Sequence, residues 1–136
     1  MVRPICKDVF TLALKSKDAT KEDIETARDL LDTLAAHRGE CVGMAANMIG
    51  VSKRIIAVGI GPMNIAMLNP VITASSDPYE AEEGCLSLSG IRKTIRYQSI
   101  TVEYRDMEFR KQKQSFSGYI AQIIQHEVDH CNGVLI

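Results

Sequence analysis

Charge of one dominant sign is missing from this sequence: 16 Lys and Arg face 17 Asp and Glu, for a net charge of −1. That balance implies no polyanion-binding surface and argues against a nucleic-acid partner. No apolar run reaches the length needed to cross a bilayer, so no membrane association is expected. The N-terminus, Met1-Val2-Arg3-Pro4-Ile5-Cys6-Lys7-Asp8, lacks the apolar segment of a secretory signal. A cytoplasmic protein is the expectation, and Cys6, Cys41, Cys85 and Cys131 are then thiols or metal ligands rather than disulfides. Repeats, low-complexity tracts and linkers are absent too. What is present is 46% hydrophobic and 24% charged, ordinary for a globular chain, and 136 residues suffice for a single domain, residues 1–136, with a real core.

The periodicities outline the elements. Residues 1–20 read as an extended entry segment. Thr20 is a good N-cap with Asp23 three residues on, and Ile24, Ala27, Leu30, Leu31, Leu34 and Ala35 recur at helical spacing up to Gly39, predicting a helix over 21–38. The small-residue run Gly43-Met44-Ala45-Ala46-Asn47-Met48-Ile49-Gly50 permits close backbone approach. Arg54–Gly59 and Ile65–Leu68 read as strands separated by Gly61-Pro62. Pro70 and Ser75-Ser76-Asp77-Pro78 punctuate what reads as a longer connection. Ile100, Val102 and Tyr104 alternate with polar residues as in a half-buried strand, Asp106–Arg110 is turn-like, and Lys111–Phe116 is another short strand. Ser117 starts a final helix with Ile120, Ile123, Ile124 and Val128 on one face, and Asn132-Gly133 ends it. The resulting class is α+β: a single compact domain of short antiparallel strands packed around a C-terminal helix, with the N-terminal helix outside.

Histidine is scarce, with three in the chain, yet two of them fall in His126-Glu127-Val128-Asp129-His130. On a helix, positions i and i+4 share a face, so two imidazoles can grip one metal ion while Glu127 reaches a water on it. A solvated polar helix end is the bland alternative, but both histidines lie beside the apolar stripe. A hydrolytic metal centre needs a third protein ligand and an open position. The chain ends six residues after His130 with no acid or histidine in that tail. Cys131 points about 100° around the helix from His130. The third ligand must then come from upstream. His37, at the polar end of the first helix, reads as exposed or C-capping, and Cys6 and Cys41 read as buried thiols. Cys85, in Glu82-Glu83-Gly84-Cys85-Leu86-Ser87, stands apart because Gly84 permits tight geometry beside the thiol. Residue types alone leave Cys85 and the upstream acids both open.

With Glu83-Gly84-Cys85-Leu86-Ser87 and Gln125-His126-Glu127-Val128-Asp129-His130 taken together, the chain resembles the peptide deformylase family. That family carries a G-x-G-x-A-A-x-Q segment, then E-G-C-x-S, then H-E-x-x-H, and the chain has counterparts in the same order from about residue 3 to its end. The resemblance implies that Cys85, His126 and His130 are metal ligands and Glu127 the general acid/base. It implies that the Leu86 backbone N–H is an oxyanion donor, that Val42, Gly43, Gly84, Leu86 and Ile123 line the peptide groove, and that Arg92 stands near its mouth. Tyr119 is a further candidate for the methionine pocket. One divalent ion is implied, ferrous iron by family habit, with zinc, nickel or cobalt able to substitute. The implied substrates are formyl-methionyl nascent peptides, met at the ribosome exit by a monomeric enzyme.

Cys41-Val42-Gly43-Met44-Ala45-Ala46-Asn47-Met48 departs from the first motif. Cys41 stands where the family has its first Gly, and Met48 where it has Gln. An amide donates to a developing oxyanion and a thioether cannot. Losing one such donor costs roughly 10²–10³ in rate unless another group substitutes. The resemblance therefore carries an alternative, a metal-binding relative that holds formylated or nascent peptides with little turnover. An ordinary metallo-endopeptidase is disfavoured by the missing downstream ligand.

Overall fold

A computed structural model of the chain describes residues 1–136. Five strands form one antiparallel sheet in which each strand pairs with the next in sequence. They are β1 (Gly43–Ala45), β2 (Ile55–Ile60), β3 (Met63–Cys85), β4 (Leu88–Arg105) and β5 (Lys111–Ser117). The helices are a short α1 (Val9–Leu12), α2 (Ile24–Ala36) and α3 (Gly118–Cys131), with 3-10 turns at Lys21–Asp23 and Ala46–Ile49. None of the helices is long and apolar enough to cross a membrane.

The pleat explains why helices cover both faces. Successive strand residues point opposite ways. Ile55, Ala57, Ala66 and Leu68 therefore join Leu30 and Leu34 in one apolar cluster under α2. Ile56, Val58 and Met67 join Ile123, Ile124 and Val128 in a second cluster under α3. The class is α+β as expected, with α2 packed on the face of the sheet opposite α3.

The expected connection around residues 70–78 is instead part of β3, and the strands are longer than predicted. β3 spans 23 residues and β4 spans 18. β2 pairs with β3 only from Met63 to Leu68. Past that point β3 has β4 on one side and a free edge on the other, where a proline costs no ladder bond. Register shifts between Leu68 and Val71 and between Ile72 and Ala74 absorb Pro70 and Thr73 as bulges, while Ser75, Ser76 and Pro78 pair with β4 in unbroken register. β5 joins β4 only from Ser99 onward. The stretch between, Ser76–Cys85 with Leu88–Gln98, is thus a two-stranded ribbon closed by a two-residue turn at Leu86-Ser87.

The helix ends follow their caps. The Thr20 N–H donates to Asp23 Oδ2 at 2.8 Å and the Glu22 N–H to Thr20 Oγ1 at 3.3 Å, as the spacing predicts. Within the entry segment, Asp8 accepts from the Phe10 N–H at 3.1 Å and starts α1, so that stretch is not uniformly extended. Ser117 is the N-cap of α3, but its hydroxyl makes no capping bond. Gly133 closes α3 with a φ of +76°, and a Cβ there would come within 2.5 Å of Ala13 O, so glycine is needed twice over. All four cysteines are free; Cys131 is buried, whereas Cys6 and Cys41 are only half-buried, against expectation.

Candidate metal centre

α3 is buried without a break from Ile123 to Val128, because its apolar stripe lies on the sheet and its polar stripe is covered by the ribbon. His126 and His130 sit one turn apart on that covered stripe. Their Nε2 atoms are 3.1 Å from each other, and Cys85 Sγ, at the end of β3, is 3.3 Å from His130 Nε2. All three ligand-type atoms lie within 4.8 Å of one another. For ligands about 2.0–2.3 Å from one tetrahedral ion, neighbouring donor atoms stand about 3.3–3.6 Å apart, so this set fits a single small cation. One thiolate and two imidazoles are soft and borderline donors, suited to a divalent transition metal rather than to magnesium or calcium.

Behind His126 lies a polar assembly that motif reading missed. His126 Nδ1 is 2.8 Å from Glu83 Oε1. Arg96 grips Glu83 through Nε to Oε2 at 2.9 Å and Nη2 to Oε1 at 2.7 Å, and reaches Asp129 Oδ2 through Nη1 at 2.6 Å. Gln122 Nε2 donates to Glu83 Oε2 at 2.9 Å. Signals for this group exist in the sequence. Glu83 opens the E-G-C segment, Asp129 lies inside H-E-x-x-H, and Gln122 is one turn before His126. Arg96 had no signal of its own: strand register sets it opposite Tyr79 and sets Arg92 opposite Glu83, and only the folded side chains bring the Arg96 guanidinium to that carboxylate.

These contacts set the charges. Burial disfavours ionised Glu83, but His126, Arg96 and Gln122 outweigh that and hold it down at about 2. Burial likewise opposes a charge on His126, but its bonds to Cys85 and Glu83 prevail and push it up to about 10. His130 is depressed to about 3 by burial and by the neighbouring His126 and Arg96 charges. Without an ion, the pair therefore keeps its proton on His126, and metal uptake must displace that proton. Glu127 is pushed up to about 7, chiefly by burial, and its Oε1 has no partner in the protein.

An open cavity of about 680 Å³ lies against this centre. Val42, Gly43, Met48, Gly84, Leu86 and Ile123 line it, with Tyr119, His126 and Glu127 beside them. Gly43 is required by contact, because a Cβ would stand 2.7 Å from Ile123 Cγ2 and 2.9 Å from Glu127 Oε2. Arg92 does not line the cavity. Its place on β4 is opposite Glu83, and its guanidinium donates to Ser89 O at 3.2 Å, three residues back on the same strand. His37 is held by Glu40 at 2.7 Å, apart from the ligand cluster.

The polypeptide deformylase family model matches residues 4–136. The chain belongs to the polypeptide deformylase family. It is 54% identical to a peptide deformylase of Clostridium beijerinckii over 136 residues, covering 100% of both chains. Its fold superposes on a peptide deformylase from Thermotoga maritima with a TM-score of 0.89 at 29% identity, covering 99% of this chain and 95% of the other. It superposes on a Met-Ala-Ser-bound class I type b peptide deformylase from Acinetobacter baumannii with a TM-score of 0.88 at 30% identity, covering 99% and 97%. As a deformylase, it is a metal-dependent hydrolase that removes the formyl group from nascent polypeptides during N-terminal processing. Nothing in these relationships supports the low-turnover alternative. The two departures in its first motif both face the cavity. Cys41 carries a thiol pushed up to about 11, mainly by burial, and Met48 Sδ accepts from the Ala45 N–H at 3.4 Å.

Proposed function

We propose that this deformylase holds its ion with Cys85 Sγ and the Nε2 atoms of His126 and His130, that Glu127 is its general acid/base, and that the ion is ferrous iron. The observation that carries the reading is the convergence of one mid-chain sulfur and two α3 imidazoles beside a buried carboxylate at the floor of an open cavity. Zinc, nickel or cobalt would fit the same donors. When bound, the ion supplies Lewis acidity at the formyl carbonyl and makes its coordinated water easier to deprotonate.

The chain's own groups do the rest. Glu127 stands half-ionised near neutrality, so it can take a proton from the attacking water and return it to the departing amine as formate leaves. The Leu86 N–H, in the turn after Cys85, points to the oxyanion role. Val42, Gly43, Gly84 and Leu86 bound a slot beside β1, an edge strand that pairs only with β2, so an extended peptide can add there as a further strand. Ile123 and Tyr119 offer the methionine side chain an apolar wall. The Acinetobacter neighbour binds Met-Ala-Ser, which supports a peptide beginning with methionine as the class of ligand. The same reading has the enzyme work as a cytoplasmic monomer on chains at the ribosome exit, in keeping with a family that acts on nascent peptides.

Purification without oxygen, elemental analysis and a formate-release assay on a formyl-Met tripeptide test all of this on one sample. Iron at one equivalent with turnover is expected, and Cys85→Ser and His126→Ala each abolish metal retention. Full occupancy with no formate above that released by free metal would refute the reading.

A further inference from the structure

The two metal-type histidines are not supported alike. His126 presents Nε2 to the cluster and Nδ1 to Glu83 at 2.8 Å. His130 also presents Nε2 to the cluster, but its Nδ1 has no partner among the protein's groups, although the residue is 0% exposed. A metal-ligating imidazole nearly always donates its other N–H to an acceptor, which fixes tautomer and ring plane. A buried N–H left unpaired is destabilising.

Four other buried side-chain atoms also lack a partner: Ser16 Oγ, Ser87 Oγ, Glu127 Oε1 and Asn47 Oδ1. Of these, Asn47 alone is bonded to residue 130 itself. Its Nδ2 donates to the His130 carbonyl at 2.8 Å, across 83 residues of sequence. Asn47 is 1% exposed, in the turn at Ala46–Ile49 that precedes β2. One end of its carboxamide thus grips the backbone of His130, while the other end is a buried acceptor without a donor, as the His130 ring nitrogen is a buried atom without a partner.

We propose that Asn47 is the positioning residue for His130, its Oδ1 accepting the Nδ1 proton, directly or through one water, when Nε2 binds the metal. Asn47 does for His130 what Glu83 does for His126, with a neutral amide in place of a carboxylate. The proposal rests on the reading of His130 as an Nε2 ligand.

Two substitutions separate this role from a merely structural one. Asn47→Ala removes donor and acceptor together, whereas Asn47→Asp keeps an acceptor for Nδ1, loses the donor to the carbonyl and adds a carboxylate charge beside it. In chelator competition with zinc, Asn47→Ala is expected to bind about 10–100-fold more weakly than the parent and Asn47→Asp to stay within a few-fold of it. A plain helix anchor would make the two variants equally weak, and that result would overturn the proposal. Histidine nitrogen spectra of the zinc-loaded parent need no variant. The expected result is the ligand shift on Nε2 of both rings, a slowly exchanging Nδ1 proton on His130, and movement of the Asn47 side-chain amide signals on loading. Ligand shifts on both rings with still Asn47 signals would refute Asn47 alone. No ligand shift on His130 would refute the metal reading and this proposal with it.

Discussion

α3 is held on two sides by different physics. Its sheet side is a dry apolar contact, where Ile123, Ile124 and Val128 meet Ile56, Val58 and Met67. Its ribbon side is polar, where Arg96, Glu83, Gln122, Gln125 and Asp129 join helix to hairpin. The apolar side fixes where the helix lies and tolerates changes of shape. The polar side fixes which atoms face each other, and it alone brings Cys85 to the two histidines. Position and chemistry thus have separate supports.

The sharpest way to break that contrast is at Arg96. Its side chain is 4% exposed and Glu83's is 7%, so Arg96→Met strips a buried carboxylate of its arginine and leaves it only His126 and Gln122. A loss of about 3–5 kcal/mol in urea unfolding is expected, together with loss of bound metal in elemental analysis. Ile124→Ala, on the fully buried apolar side, is expected to cost about 3 kcal/mol while each folded molecule keeps its full complement of metal. If both variants lose metal equally, the two supports are not separate.

Smaller changes probe the seam between them. Gly43→Ala puts a methyl where Ile123 and Glu127 already sit, and a displacement of the carboxylate by about 1 Å is expected to cut kcat about 100-fold with the metal retained. Met48→Gln puts an amide at the cavity wall, and kcat is expected to stay within a few-fold of the parent at unchanged metal content, whereas a rise of about 10-fold or more would mean that the parent lacks a needed donor. The pH dependence of stability gives the gentlest test. Folding raises Glu127 from the ordinary 4.5 to about 7, so the folded state holds a proton that the unfolded chain has released. In the metal-free protein, its contribution makes stability fall as pH rises from about 4.5 to about 7 and level off above. Glu127→Gln is expected to remove that slope in thermal melts.

The contrast also explains what could be read from the sequence. Helix α2, the turn to β2 and helix α3 follow from periodicity and caps, because an apolar stripe repeats at the spacing of the surface it covers. His126, Glu127 and His130 were legible because one helix turn puts them together. Cys85 was only narrowed by its neighbours, since its meeting with α3 depends on a long ribbon that local signals deny. Pro70, Asp77 and Pro78 look like a loop, and only the free edge and bulges of β3 make them strand. Arg92 and Arg96 lie four residues apart on β4, and although register sets Arg92 opposite Glu83, it is the buried Arg96 guanidinium that reaches that carboxylate, which no local signal reveals.

The sulfur ligand arrives on a ribbon that Ser76–Cys85 and Leu88–Gln98 build by themselves, with no third strand to brace it. Such a unit opens more readily than the sandwiched centre of the sheet. A cation clasped between Cys85 and α3 pins the tip of that ribbon, so amide hydrogen exchange along it becomes a gauge of loading. Slow exchange there marks a filled enzyme, and fast exchange, with β2 still protected, marks an emptied one that has not unfolded.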